Sequence, residues 1–283
     1  QRTGWVAVDR NLPVVARRWH PLARLTMTQP LVTPGRLFLV PTPLDFMCQT
    51  QAPITHVLPD HTLRTAAGIS HWVCENAKSA RAFLKRVNET HPLARPLASQ
   101  HMAELPREVH KKGDQAATAE IGQLLQPALN GHDLGLLSEA GMPAVADPGA
   151  SLVRAAHALG VPVVPLVGPS SLLLALAASG LNGQSFAFVG YLPQDAVARR
   201  ERIQALGKQA LASGQTQLLI ETPYRNSAVF TALVQALPAN LQLCVASHLS
   251  LPPMQVISRR VSAWKNHPLE TDKHTPMVFA FGL

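Results

Sequence analysis

The chain has 283 residues, of which 47% are hydrophobic and 15% charged, enough apolar content to bury a sizeable core and too much for a chain that is mainly disordered. Its formal net charge of +8 suits an acidic partner such as nucleic acid, or equally follows from an Arg-rich composition. The three cysteines, Cys48, Cys74 and Cys244, fit neither a zinc site nor a disulfide framework and point to a reducing compartment. The histidines show no metal-helix spacing, so no metal is expected, and the apolar runs are too short to span a membrane.

Residues 1–34 carry Arg2, Arg10, Arg17, Arg18 and Arg24 against the single acid Asp9. Three readings are open: an organelle-type presequence, an over-extended reading frame with Met27 as the start, or a disordered basic arm. Prolines break any amphipathic helix of useful length there, which favours the second and third. The segment is expected to stand outside the fold.

From Gly35 to Val40 an apolar run ends at Pro41-Thr42-Pro43, the pattern of a buried strand entering a rigid loop. A helix is expected over 57–67, a strand over Ile69–Cys74, and a helix over Ala77–Val87, with Ala80, Phe83, Leu84 and Val87 on one face. Residues 88–113 are polar and proline-punctuated, a long loop or lid. Thr118–Leu129 reads as helix and Asp133–Leu137 as strand. Asp147-Pro148 reads as an N-cap with proline in the first turn of a helix that Gly160 ends, and Val161–Val167 as a buried strand. That is a βαβ unit, which implies parallel strands.

Gly168-Pro169-Ser170-Ser171 opens a helix over Leu172–Ala178, closed by Gly180. Strand Phe186–Val189, a long helix from an Asp195 cap to Ala212, strand Gln217–Glu221, a helix from an Asn226 cap to Leu237, and strands Leu241–Ala246 and Met277–Phe281 complete the alternation. The fold class expected is α/β: two α/β domains, residues 35–167 and 168–283, with mainly parallel sheets and a ligand cleft between them at the strand ends. Three loops fall at those ends: 41–43, 138–149 and 168–171. Gly141 and Gly149 allow close backbone approach to a ligand, and Ser170 and Ser171 stand where a helix N-terminus would hold a carboxylate or phosphate. Taken singly each is an ordinary turn or cap; together they favour a cleft. No P-loop lysine motif, no GxGxxG and no Gly-x-Ser-x-Gly elbow is present.

Pro41-Thr42-Pro43, the run Leu137-Ser138-Glu139-Ala140-Gly141-Met142-Pro143 through Gly149, and Val164-Pro165-Leu166-Val167-Gly168-Pro169-Ser170-Ser171 resemble the tetrapyrrole (corrin/porphyrin) methylase superfamily. Gly190-Tyr191-Leu192-Pro193 and Glu221-Thr222-Pro223-Tyr224-Arg225 resemble later motifs of its branch that 2'-O-methylates a ribose of small-subunit ribosomal RNA. The resemblance covers residues 35–283. It implies a class III methyltransferase-like fold, a homodimer, and S-adenosylmethionine bound between the domains. By position, the cofactor would meet Pro41, Ser138, Gly141, Pro143, Gly168, Ser170, Ser171, Tyr191 and Leu192.

The chain departs from that branch at Leu44-Asp45-Phe46, where the family has Gly-Asn-Leu, and at Glu75-Asn76-Ala77-Lys78, where it has Glu-Asp-Thr-Arg. The family's His-Asp-His-Asn-Glu segment has no clear counterpart; Ser99 to Glu104 lies nearby and differs from it. The donor half is kept and the acceptor half is altered.

Methyl transfer from a sulfonium requires alignment and no covalent intermediate, and a ribose hydroxyl benefits from a general base. Glu75 and Glu139 are the candidate bases, with Lys78 or Arg225 steering a phosphate. As plain structure, Glu75 and Lys78 are helix-terminal residues, and Arg225 is a surface residue. The leading expectation is an RNA methyltransferase acting in the cytoplasm on RNA or the small ribosomal subunit, without a membrane. The alternatives are a small-molecule, tetrapyrrole-like methylase and a cofactor-binding protein without catalysis.

Overall fold

The structure, a computed structural model, describes residues 33–46, 48–106, 118–270 and 274–283. Apart from residues 33 and 34, the expected basic extension lies outside the described residues, as does part of the 88–113 loop.

Ten strands form two five-stranded sheets among the described residues. The first contains β1 (Leu37–Val40), β2 (His71–Cys74), β3 (His101–Glu104), β4 (Leu134–Leu137) and β5 (Val163–Pro165), in the order β3-β2-β4-β1-β5. Every pairing in it is parallel. Alternate side chains face opposite layers, as the two-residue strand period requires. Phe38, Val40, Trp72 and Leu137 pack with α1 (Asp60–Gly68) and α2 (Ala77–Thr90). Leu37, Val73, Leu134 and Leu136 pack with α3 (Thr118–Gln123), α4 (Gln126–Leu129) and α5 (Ala150–Ala158). Gly135 is the gap that admits Trp72: a Cβ there would stand 2.3 Å from the indole ring.

The second sheet contains β6 (Phe186–Phe188), β7 (Thr216–Glu221), β8 (Gln242–Ser247), β9 (Gln255–Arg260) and β10 (Met277–Gly282), ordered β6-β7-β10-β8-β9. β6 runs parallel to β7, and the other three pairings are antiparallel. α6 (Ser171–Ser179) covers one face, while α7 (Ala196–Ser213), α8 (Asn226–Ala236) and α9 (Val261–Trp264) cover the other. β10 is central and buried along its whole length, which explains its unbroken apolar run MVFAFG.

Several expectations are corrected. Asp147 does not cap α5; the N-cap is Gly149, whose φ of 138° is open to glycine and strained for other residues. The helix expected over Thr118–Leu129 is two short helices. Asn226 is the first residue of α8 and does not cap it: buried, it donates from Nδ2 to the Thr275 carbonyl at 2.9 Å. The edge strands β3 and β9 carry no expectation from the sequence.

Candidate active site

β1, β2 and β4 end in register, with Val40 and Cys74 both opposite Leu137. The residues that follow, Pro41, Glu75 and Ser138, therefore emerge side by side at the carboxyl edge of the sheet. This is where open α/β sheets collect their ligands.

The loop after β1 is tied to the loop after β4 by two backbone hydrogen bonds. Thr42 N–H donates to the Gly141 carbonyl at 2.9 Å, and Gly141 N–H to the Thr42 carbonyl at 3.0 Å. Gly141 has φ of 76°, and a Cβ there would crowd Leu44. The third loop closes on the same point. A Cβ on Gly168 would lie 2.2 Å from Pro41 Cγ, so only glycine lets the loop before α6 approach this closely. Between these loops Ala144 and Ala146 hold left-handed φ values of 63° and 65°. That conformation costs roughly 1–2 kcal/mol per alanine, and such strain clusters at functional sites.

Two cavities of about 400 Å³ each open here. The first is bounded by the loop after β1, the end of β2 and the start of α2, including Thr42, Lys78, Phe83 and Arg86. The second lies between the strand ends of the first sheet and the second sheet, and includes Gly141, Ser170, Ser171, Tyr191 and Glu221. Phe46, Cys48, Glu75 and Glu139 line both.

The electrostatics of the two differ. Glu75, Glu139, Asp147 and Glu221 line the second cavity, and no Lys or Arg among the described residues does. Burial, and then repulsion from Asp147 and Glu139, push Glu75 up to about 8. Burial and the Glu139 charge push Asp147 up to about 6. The Tyr191 hydroxyl is also raised, by burial first and then by Asp147, Glu221 and Glu75. Glu139 N–H donates to Glu75 Oε1 at 3.3 Å, and Ser79 Oγ lies 3.4 Å from Glu139 Oε1. No cluster of metal-ligating side chains is found among the described residues.

The structure brings most of the expected site together. Glu75 and Glu139 stand on the shared wall, Ser138 and Lys78 line the first cavity, and Gly141, Ser170, Ser171 and Tyr191 line the second. Pro41, Pro143, Gly168 and Leu192 line neither and pack behind the walls; Leu192 belongs to the core beneath α7 and α8. Lys78 is exposed near the start of α2, whose cap is Asn76 Oδ1 accepting from Lys78 N–H at 2.8 Å. Arg225 turns inward: its Nη2 is 3.3 Å from Glu221 Oε2 and donates to the Pro193 carbonyl at 3.2 Å. The segment 99–104 is a supporting edge. Gln100 accepts from the Trp72 indole at 3.0 Å, and Glu104 from Ala77 N–H at 2.8 Å.

Sequence reasoning assigned no ligand role to Asp147, Glu221 or Arg86, and placed Asp45 only among the altered acceptor-side positions. Glu221 lies within a quoted motif, but only the fold shows that it faces the second cavity. Asp45 and Arg86 are 41 residues apart, and nothing local in the sequence joins them.

The chain belongs to the tetrapyrrole (corrin/porphyrin) methylases, whose family pattern matches residues 61–263. It is 34% identical over 191 residues to ribosomal RNA small subunit methyltransferase I of Pseudomonas aeruginosa, covering 68% of this chain and 58% of that protein. The same-named protein of Xylella fastidiosa (strain Temecula1) is 33% identical over 201 residues, or 71% of this chain and 63% of that one. The chain therefore spans less than two thirds of the length of these two relatives. Among solved structures, the methyltransferase CobJ matches with a TM-score of 0.53 at 14% identity, over 88% of this chain and 94% of that one. That likeness shows the shared class III fold.

Proposed function

We propose that the protein is an S-adenosylmethionine-dependent methyltransferase whose acceptor is a ribose 2'-hydroxyl of small-subunit ribosomal RNA. The observation that carries this reading is the second cavity, walled by four carboxyl groups and sharing Glu75 and Glu139 with the first. A cavity of that sign suits a ligand bearing cationic sulfonium and ammonium groups. Its one anionic group, a carboxylate, suits the start of α6, where Ser170 makes no side-chain cap and the first-turn N–H groups have no intrahelical acceptor. Glu221 Oε2 meets Arg225 Nη2 at 3.3 Å, an ion pair that holds this carboxyl at the cavity wall.

S-adenosylmethionine supplies an electrophilic methyl group when bound. The protein's own residues do the rest. Glu75 takes the proton of the acceptor hydroxyl, and its raised pKa of about 8 makes it a stronger base than an ordinary carboxylate. Glu139 fixes that carboxyl through its backbone N–H and, with Asp147, keeps it basic. Lys78 meets a phosphate at the rim of the first cavity, while Arg225 holds Glu221 in place.

In this reading residues 35–167 and 168–283 are two α/β domains, each built on one sheet. The protein is a homodimer; the exposed Leu173 and Leu174 of α6 and Phe186 and Phe188 of β6 support self-association. An RNA acceptor and three cysteines outside any disulfide fit the cytoplasm. No helix among the described residues is long and apolar enough to cross a membrane.

Calorimetry with S-adenosylmethionine, followed by transfer of labelled methyl to total RNA, tests the proposal. Binding with transfer to RNA supports it. Binding without transfer leaves a cofactor-binding protein, transfer to a tetrapyrrole alone makes it a small-molecule methylase, and absence of binding overturns it.

A further inference from the structure

The loop after β1 is held at three points. Thr42 is bonded to Gly141, and Leu44 packs against the cluster formed by α6 and the second sheet. The third hold comes from α2. Arg86 Nη1 and Nη2 donate to Asp45 Oδ1 and Oδ2, both at 2.9 Å, and Nη2 also donates to the Ala52 carbonyl at 2.8 Å. The Asp45 side chain is 6% exposed and that of Arg86 18%. Between the two residues that Arg86 grips lie Phe46 and Cys48, which line both cavities.

A buried ion pair is a poor source of net stability, because desolvation of the two charges roughly offsets their attraction. A planar, bidentate fork instead gives direction: it holds the carboxylate and everything attached to it in one orientation. The loop so held is the partition between the two cavities.

We infer that Arg86 is a positioning residue, clasping Asp45 and Ala52 so that Phe46 and Cys48 stand as a fixed wall setting the line from the second cavity to the first. The alignment role rests on the methyl-transfer reading; the fixed wall does not. Loss of the clasp frees the wall while leaving Glu75, Glu139 and the other walls of the second cavity in place. Alignment errors on the scale of an ångström cost up to about a hundredfold in rate.

The test uses Cys48 in the intact protein. It is half-buried, whereas Cys74 and Cys244 are buried with thiols pushed up to about 11, so iodoacetamide reports on the wall selectively. The variants are Arg86→Met, Arg86→Lys and the double change Asp45→Asn with Arg86→Met, which leaves no buried unpaired charge and keeps the fold testable. The expected result is Cys48 alkylation about tenfold faster in Arg86→Met and in the double variant, with Arg86→Lys between. Turnover at saturating substrates falls about tenfold or more, while the KM for S-adenosylmethionine moves less than about threefold. A double variant with unchanged labelling overturns the inference, as does faster labelling with unchanged turnover. A parent protein that methylates no RNA ends the methyl-transfer reading and the alignment role with it, while the labelling rates still decide whether Arg86 holds the wall.

Discussion

Glu139 donates its backbone N–H to the Glu75 carboxylate at 3.3 Å, and its charge also raises the Glu75 pKa. One residue thus fixes the candidate base and makes it more basic. Both stand on the wall shared by two cavities, of which only the first also carries basic side chains, Lys78 and Arg86.

Removal of Glu139 then costs turnover more than donor affinity. Glu139→Gln keeps the backbone bond and loses the charge, so Glu75 becomes a weaker base. Glu139→Ala also opens the wall. The base itself remains, so Glu139→Gln should lower kcat severalfold at about pH 9, where Glu75 is ionised in either protein, and Glu139→Ala, which also opens the wall, about tenfold. Full activity in Glu139→Ala sinks the role.

The raised Glu75 pKa has a cost in stability with a definite sign. The group binds its proton more tightly folded, at about 8, than in its ordinary state at 4.5. Between those values the native state carries more protons, so stability falls as pH rises through the window. Gln at this position does not titrate. Thermal melts should show Glu75→Gln more stable than the parent near pH 8.5, with a smaller gain near pH 5. Equal gains at both values would contradict the buried, repelled carboxyl.

Turnover moves the opposite way. If Glu75 is the base, it must be ionised, so kcat rises with pH until the group has titrated near 8. A flat profile between about pH 6 and 9 removes Glu75 from that role.

Gly168→Ala places a methyl 2.2 Å from Pro41 Cγ, where two loops meet. Pro41 is a buried ring and cannot swing away, so the cost is about 1–3 kcal/mol, read as a lower urea midpoint with an unchanged slope. No loss of stability would mean the loops are not packed as described.

Lys78→Ala should weaken RNA binding uniformly across sequences and lower the salt slope by about one unit, the mark of a single lost phosphate contact. An unchanged slope removes Lys78 from the interface.

Much of the fold was legible because apolar periodicity reports burial. The central strands β1, β4 and β10 read as unbroken apolar runs, and the face of α2 carrying Ala80, Phe83, Leu84 and Val87 is the buried one. The edge strands β3 and β9 were not legible, whereas the edge strands β5 and β6 fall within expected runs. β3 is the four residues HMAE, and β9 is half-buried at Val256, Ile257 and Arg259 and ends in two arginines, so neither shows a regular apolar alternation. The βαβ reading of 133–167 extends to a wholly parallel first sheet, but no sequence signal marked the antiparallel strands of the second. At the site, motif spacing led to Glu75, Glu139 and Ser170. Contacts across long sequence separations stayed hidden, among them Asp45 with Arg86 and Gly168 with Pro41. Asp45 marked a departure from the family's loop, and its burial under Arg86 gives that departure a structural reason.

The most direct measurement is the chemical identity of the methylated product. Small ribosomal subunits incubated with the protein and labelled S-adenosylmethionine should yield label in alkali-resistant dinucleotides, the signature of a 2'-O-methyl ribose, and Glu75→Gln should reduce it at least tenfold. Label on a base, or no label in RNA with the parent protein, would contradict the account.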